Sequence, residues 1–260
     1  MRPWDRSPAL ARLRALLEAR REPMAELLRG FTAHRDRLAR IPVAAPGGPS
    51  AQPHWRNGYF PGLDAISLYG MLVRRNPRWF VEVGSGNSTR FAARAIADHG
   101  LRTHIVSIDP APRVEVEALC HRTLRRPLED VDPSFFAELR GEDMLFVDNS
   151  HRGFQSSDVT VFFTEVLPTL PPGMLYGLHD IHLPWDYPKH WTGRFYNEQY
   201  FLLTWLLAGA DGDRIALANA WITAEPDLCR LLAPILEHPA LRGIEPHGGL
   251  FWLERRPGSA

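Results

Sequence analysis

The stretch from Val81 to Ile96, VEVGSGNSTRFAARAI, reads as the end of a buried strand, a tight glycine turn and the start of a helix. Gly84 and Gly86 let the backbone turn sharply and approach a ligand closely. Asn87, Ser88 or Thr89 can cap the helix that follows. Two glycines one residue apart also suit a purely structural turn, so the neighbouring residues decide. Glu82 lies inside the strand, two residues before Gly84. A carboxylate there is costly without a partner, and a ligand ammonium is a natural one. The third glycine of a dinucleotide fingerprint would fall at position 89, where this chain has threonine.

Outward from this unit, short apolar runs alternate with helical stretches. The runs are FVEV (80–83), HIVSI (104–108), MLFV (144–147), MLYGL (174–178) and RIALA (214–218). A helix is predicted over SDVTVFFTEVLPTL (157–170). Apolar runs of this length suit strands buried on both faces. Their alternation with helices implies a parallel sheet with right-handed crossovers. The gap between HIVSI and MLFV can hold one more strand, which makes MLFV the fourth and MLYGL the fifth. GLFWLERR (249–256) reads as the last. Leu10, Leu13, Leu16 and Leu17, then Met24, Leu27, Leu28 and Phe31, fall at helical spacing within residues 1–40. Pro23 suits a first-turn position. The Pro- and Gly-rich IPVAAPGGPSAQP (41–53) reads as a linker. The predicted fold is α/β: a doubly wound, mostly parallel Rossmann-like sheet (54–260) with an N-terminal helical appendage and linker (1–53).

In such sheets the ligand lies beyond the carboxyl ends of the strands, near the point where strand order reverses. In HIVSIDP, Asp109 lies at the end of the second run, 23 residues after Gly86. An acid there can accept hydrogen bonds from ribose hydroxyls. It can also cap the following APRVEVEAL. Glu82 and Asp109 together favour a cofactor over a bare turn.

VEVGSGNSTRF with IDPAPR resembles the first two cofactor motifs of the class I S-adenosylmethionine-dependent methyltransferases. The resemblance continues through LFVDNSH, LPTLPPGMLYGLHDIHLPWDYP and YNEQYFL, and spans roughly residues 55–220. It is similar to the subgroup of sugar O-methyltransferases from antibiotic and surface-glycan pathways. Ser88 stands where the wider family has a third glycine. The resemblance implies S-adenosylmethionine held by Glu82, Gly84, Ser85, Gly86, Asn87, Ser88, Asp109 and Asp148.

Asp148 and His151 follow the fourth run, and His179 and Asp180 follow the fifth. Neighbouring strands lie about 5 Å apart, so the four can converge on one rim. Oxygen and imidazole groups together suit Mg²⁺ or another divalent ion, and His179 tilts the preference toward a transition metal. Taken singly, Asp180 serves equally as a turn cap and His151 as a backbone partner. The resemblance implies Asp148 and Asp180 as metal ligands and His151, beside Asp148, as the catalytic base. His179 occupies a position where that subgroup has an acidic ligand.

Two segments mix aromatics with polar groups, HWRNGYFPGLDAISLYG (54–70) and LPWDYPKHWTGRFYNEQY (183–200). They are the expected walls for a small hydroxylated acceptor, with Trp55, Asn57, Tyr59, Phe60 and Asp64 in the first.

Composition sets the outer bounds. The chain has 260 residues, with Lys plus Arg and Asp plus Glu both 30. A neutral chain has no whole-molecule field toward nucleic acid or anionic membrane. The arginines of residues 12–40 read as solvated helix faces. Cys120 and Cys229 form neither a metal spacing nor a disulfide framework. No apolar run is long enough to span a bilayer, and no secretory signal is seen, so a reducing cytoplasm is the expected compartment. A homo-oligomer is compatible with the sequence. A nicotinamide-dependent oxidoreductase and a nonenzymatic cofactor- or sugar-binding protein are the alternative readings.

Overall fold

In the computed structural model, which describes residue 4 and residues 7–45, 47–48, 50–244 and 246–256, each of the five apolar runs becomes a strand within one residue of its predicted bounds. They are β1 (Trp79–Val83), β2 (His104–Ile108), β4 (Met144–Val147), β5 (Leu175–Leu178) and β6 (Arg214–Ala218). The strand left unplaced between β2 and β4 is β3 (Arg122–Leu124). It is three residues long, lies at the sheet edge and begins with an exposed arginine, so no apolar run marks it. The last strand is β7 (Phe251–Glu254).

The sheet order is β3-β2-β1-β4-β5-β7-β6. The first five strands in this order are parallel, and β7 runs antiparallel to both its neighbours. The sheet is thus mixed and mostly parallel, as predicted. Strand order reverses between β1 and β4, which opens a crevice above their carboxyl ends. Glu82 pairs with Ser107 on one side and Phe146 on the other, so it sits in the middle of the sheet.

The helix Asn87–His99 leaves the glycine turn and packs along the helix Gly62–Arg75. The N-terminal helices Pro8–Glu18 and Arg21–Phe31 both pack against β6. Leu10, Leu13, Leu17, Met24, Leu28 and Phe31 join the same core as the sheet, while Leu16 faces out. Pro23 falls in the first turn of the second helix. In the linker, Pro46 and Pro49 lie outside the described residues. Its ends are tied where Trp55 N–H donates to the Pro42 carbonyl and Arg56 N–H to that of Val43.

One helical expectation is corrected. Residues 157–170 form a short α-turn (Asp158–Val161), a wider π-turn (Phe162–Val166) and a 3-10 turn (Leu167–Thr169). Pro168 has no N–H and its ring crowds the carbonyl four residues back, so a regular helix cannot run through it. Among the described residues, no helix is long and apolar enough to cross a membrane.

Candidate active site

The glycine turn is shaped by contact between the ends of β1 and β4. Gly84 has φ +77°, and a Cβ there would stand 2.1 Å from the Asp148 carbonyl oxygen. No other residue fits that close approach. Gly86 caps the helix, and a Cβ on it would meet nothing within 4 Å. Its backbone therefore borders open space. The capping expectation is refined: Asn87 and Ser88 are the first two helical residues, and Thr89 at the third position accepts from Gly86 N–H at 2.9 Å. Asn87 donates to Asn57 Oδ1 at 3.2 Å and accepts from Arg90 at 2.9 Å.

Asp109 closes the turn from the β2 side. Its Oδ2 accepts from Ser85 N–H at 2.9 Å and from the Ser85 hydroxyl at 2.6 Å, and its Oδ1 accepts from Ala111 N–H at 2.8 Å. Glu82 has no exposed surface. Burial pushes its carboxyl up to about 8, although the hydroxyls of Ser88 and Thr89 pull the other way. The Thr89 hydroxyl donates to Oε2. Among the described residues Oε1 has no hydrogen-bond partner.

The acids and histidines beyond β4 and β5 do converge. Asp148 N–H donates to the Val83 carbonyl and His179 N–H to that of Val147, each at 2.9 Å. Strand spacing therefore sets their separation. His151 (φ +57°) and Asp180 (φ +53°) turn through the left-handed region, which fits non-glycine residues poorly and costs about 1–3 kcal/mol each. His151 Nε2 lies 3.3 Å from Asp148 Oδ1 and 3.5 Å from Asp180 Oδ2. His179 Nδ1 lies 3.2 Å from Asp148 Oδ1 and 3.7 Å from Asp180 Oδ1.

Two carboxylates behind the histidines complete the cluster. Glu198 Oε2 lies 2.8 Å from His151 Nδ1, and Asp64 Oδ2 lies 3.2 Å from His179 Nε2. Both acids are fully buried. Glu198 is absent from the sequence-predicted set; its signal was an acid in the first turn of an otherwise apolar helix, Glu198–Leu207. Asp64 was expected in an acceptor wall, and its burial corrects that. It accepts from Asn219 at 2.7 Å and from Gly249 and Leu250 N–H at 2.9 Å each.

Carboxylates facing ring nitrogens at these distances need positive charge between them. Burial opposes an imidazolium at His151, but hydrogen bonds to Asp148 and Glu198 outweigh it and push its pKa up to about 10. His179 is likewise raised: burial opposes its charge, and Asp148, Asp180 and Asp64 overcome it. Asp148 is held well below the usual carboxylate range, the two histidines overriding the cost of burial. Ligand atoms of Asp148, His151 and His179 all lie within 4.8 Å of one another, so the compact set takes in His151, expected as the base, in place of the expected ligand Asp180. The donor set of oxygen and imidazole nitrogen fits a divalent ion.

A cavity of about 910 Å³ opens beside Asp180. Trp55, Tyr59 and Phe60 line one side, and His182, Trp185 and Trp191 another. The two aromatic segments thus face the same cavity. A third wall, which includes Ala220, Thr223, Gly243, Ile244 and Gly248, was not legible in the sequence because nothing local marks those residues as neighbours of the site. Asn57 is spent on its own loop and on Asn87: it accepts from Tyr59 and Phe60 N–H and donates to the His54 carbonyl.

Residues 81–181 match the family model described as a methyltransferase domain. A comparison with curated protein sequences finds no match. Among solved structures, the chain is similar to the O-methyltransferase TomG from Streptomyces achromogenes in complex with S-adenosylmethionine. That likeness has 15% identity over 88% of this chain and 90% of the other, with TM-score 0.43. A Podospora anserina methyltransferase bound to S-adenosylhomocysteine has 15% identity over 74% and 78%, with TM-score 0.38. MycE of the mycinamycin pathway, in complex with Mg and S-adenosylhomocysteine, has 17% identity over 74% of this chain and 49% of its own, with TM-score 0.41.

Proposed function

We propose that this chain is a class I S-adenosylmethionine-dependent methyltransferase that methylates a hydroxyl of a small-molecule acceptor, with His151 as the base; the match of residues 81–181 to a methyltransferase domain supports the first part of this reading. The observation that carries this reading is the position of His151. Its Nδ1 is held by buried Glu198, and its Nε2 points toward Asp148 and Asp180, the latter at the cavity wall.

The residues fit the cofactor. The unpartnered Oε1 of Glu82 suits the ammonium of its methionine portion, and the open space over Gly86 admits close approach of a ligand to the turn. Asp109 stands where ribose hydroxyls would be held. Ser85, Asn87 and Ser88 complete the turn, and Asp148 borders it from β4.

The sulfonium methyl is already activated, so alignment supplies much of the rate. The acceptor oxygen attacks the methyl carbon, the carbon–sulfur bond breaks, and its electron pair stays on sulfur. The products are a methyl ether and S-adenosylhomocysteine. The hydroxyl proton passes to His151 Nε2, and Glu198 stabilises the resulting imidazolium. Asp148, His179 and Asp180 would hold a divalent ion. When bound, such an ion acidifies the hydroxyl beside it and neutralises the carboxylates that otherwise keep a proton on His151.

The test supplies S-adenosylmethionine labelled in its methyl group with a panel of hydroxyl, amine and thiol acceptors. An alkali-stable label on oxygen is expected. Label confined to nitrogen, sulfur or carbon would overturn the hydroxyl assignment.

A further inference from the structure

His179 separates this site from one built of oxygens alone, and its orientation is set from behind. Both oxygens of Asp64 already accept hydrogen bonds: Oδ1 from Asn219 and Leu250 N–H, Oδ2 from Gly249 N–H. A carboxylate fixed in this way faces the imidazole as an acceptor, so the ring must donate. The donor is His179 Nε2, 3.2 Å from Oδ2. Nδ1 is then the nitrogen left to face Asp148 and Asp180, where a metal ion would take the place of its proton.

The ring has little room to turn. His179 is only 3% exposed, and its centroid lies 5.3 Å from that of Phe60 and 6.1 Å from that of Phe146. An imidazole that donates one N–H to a carboxylate is oriented and made more basic toward a metal at its other nitrogen. Imidazole suits Zn²⁺, Co²⁺ or Ni²⁺, whereas Mg²⁺ demands oxygen and gives up its water reluctantly. Glu198 holds His151 in the same manner, so a second ring nitrogen faces the same carboxylates.

We propose that Asp64 fixes His179 with Nδ1 toward Asp148 and Asp180, and that the resulting site takes a late first-row divalent ion such as Co²⁺ in preference to Mg²⁺. Asp64 is a positioning residue, acting through His179. The inference rests on the reading of Asp148, His179 and Asp180 as metal ligands.

The test titrates the full chain with Co²⁺ and follows its visible ligand-field bands, with Mg²⁺ as competitor. A cobalt spectrum with bound imidazole is expected, with paramagnetically shifted histidine ring protons in the proton NMR spectrum. Mg²⁺ in large excess should fail to displace the ion. Oxygen-only sites also favour Co²⁺, so the ratio of the two affinities must be compared with that of His179→Asp. That ratio should fall by about 10–100-fold in the variant, and one shifted imidazole should vanish. Asp64→Asn should weaken Co²⁺ by about 10–100-fold while leaving Mg²⁺ less affected. If Asp64→Asn does not fold, the His179→Asp comparison decides alone. An unchanged ratio in His179→Asp, or a cobalt form without a shifted imidazole from His179, overturns the proposal. Calorimetry with S-adenosylhomocysteine and the methyl-label assay, run on the same samples, report separately on the methyl-transfer reading.

Discussion

Glu198, on the helix that follows β5, holds its carboxylate 2.8 Å from Nδ1 of His151, on the loop that leaves β4. The two residues are 47 positions apart in the chain and both are buried. Their contact orients a loop histidine so that its Nε2 faces Asp148 and Asp180.

If that pairing serves general-base catalysis, His151→Ala should lower turnover by about 10²–10⁴-fold. Glu198→Gln should cause a smaller loss in the same direction, since the ring keeps a neutral hydrogen-bond partner. Affinity for S-adenosylhomocysteine, measured by calorimetry, should barely change in either. A loss of less than about threefold in His151→Ala, well below the usual range for a base, would assign deprotonation elsewhere. A parallel loss of cofactor binding would mean that His151 shapes the loop instead.

Glu82 gives a pH signature. Its carboxyl is raised by burial to about 8, so between its ordinary value and 8 the folded protein binds more protons than the unfolded one. Stability of the cofactor-free protein should therefore fall as pH rises through this window. Glu82→Gln should flatten that dependence and raise the melting temperature at pH 8 relative to wild type. The same variant should bind S-adenosylhomocysteine more weakly, as the proposed pairing of Glu82 with the cofactor's ammonium requires. Melting curves at pH 5 and pH 8 that shift equally in both proteins would refute the buried-acid account.

Asp109 braces Ser85 and is the proposed partner of the cofactor ribose. Asp109→Ala should weaken cofactor binding by about 1.5–3 kcal/mol, the worth of hydrogen bonds to a charged group. Ser85→Ala removes one brace but keeps the acid, so its loss should be smaller. Equal losses in both variants would show that Asp109 acts only by shaping the turn.

Dialysis against EDTA should reduce turnover and leave S-adenosylhomocysteine binding largely intact, because the glycine turn and Asp109 do not depend on the ion. Full activity in chelator, with no metal by elemental analysis, would leave Asp148, His179 and Asp180 as a metal-free polar cluster.

The strands and the glycine turn could be read from the chain because their causes are local. Apolar runs such as HIVSI and RIALA must be covered on both faces, and glycine at 84 permits a backbone turn that other residues resist. Asp148, His151, His179 and Asp180 could be grouped for a related reason. Each follows a strand, and neighbouring strands in a parallel sheet bring the residues beyond their ends together. Partners from elsewhere carried no such mark. Asp64 and Glu198 come from helices before β1 and after β5, and only the packing of those helices onto the sheet places each acid behind a histidine. The third cavity wall and the edge strand β3 were hidden likewise, since neither has an apolar pattern of its own. The sequence alone determined the sheet, its glycine turn and the rim of acids and histidines. Tertiary structure decided which way each imidazole faces, because that depends on buried hydrogen bonds between residues 47 and 115 positions apart.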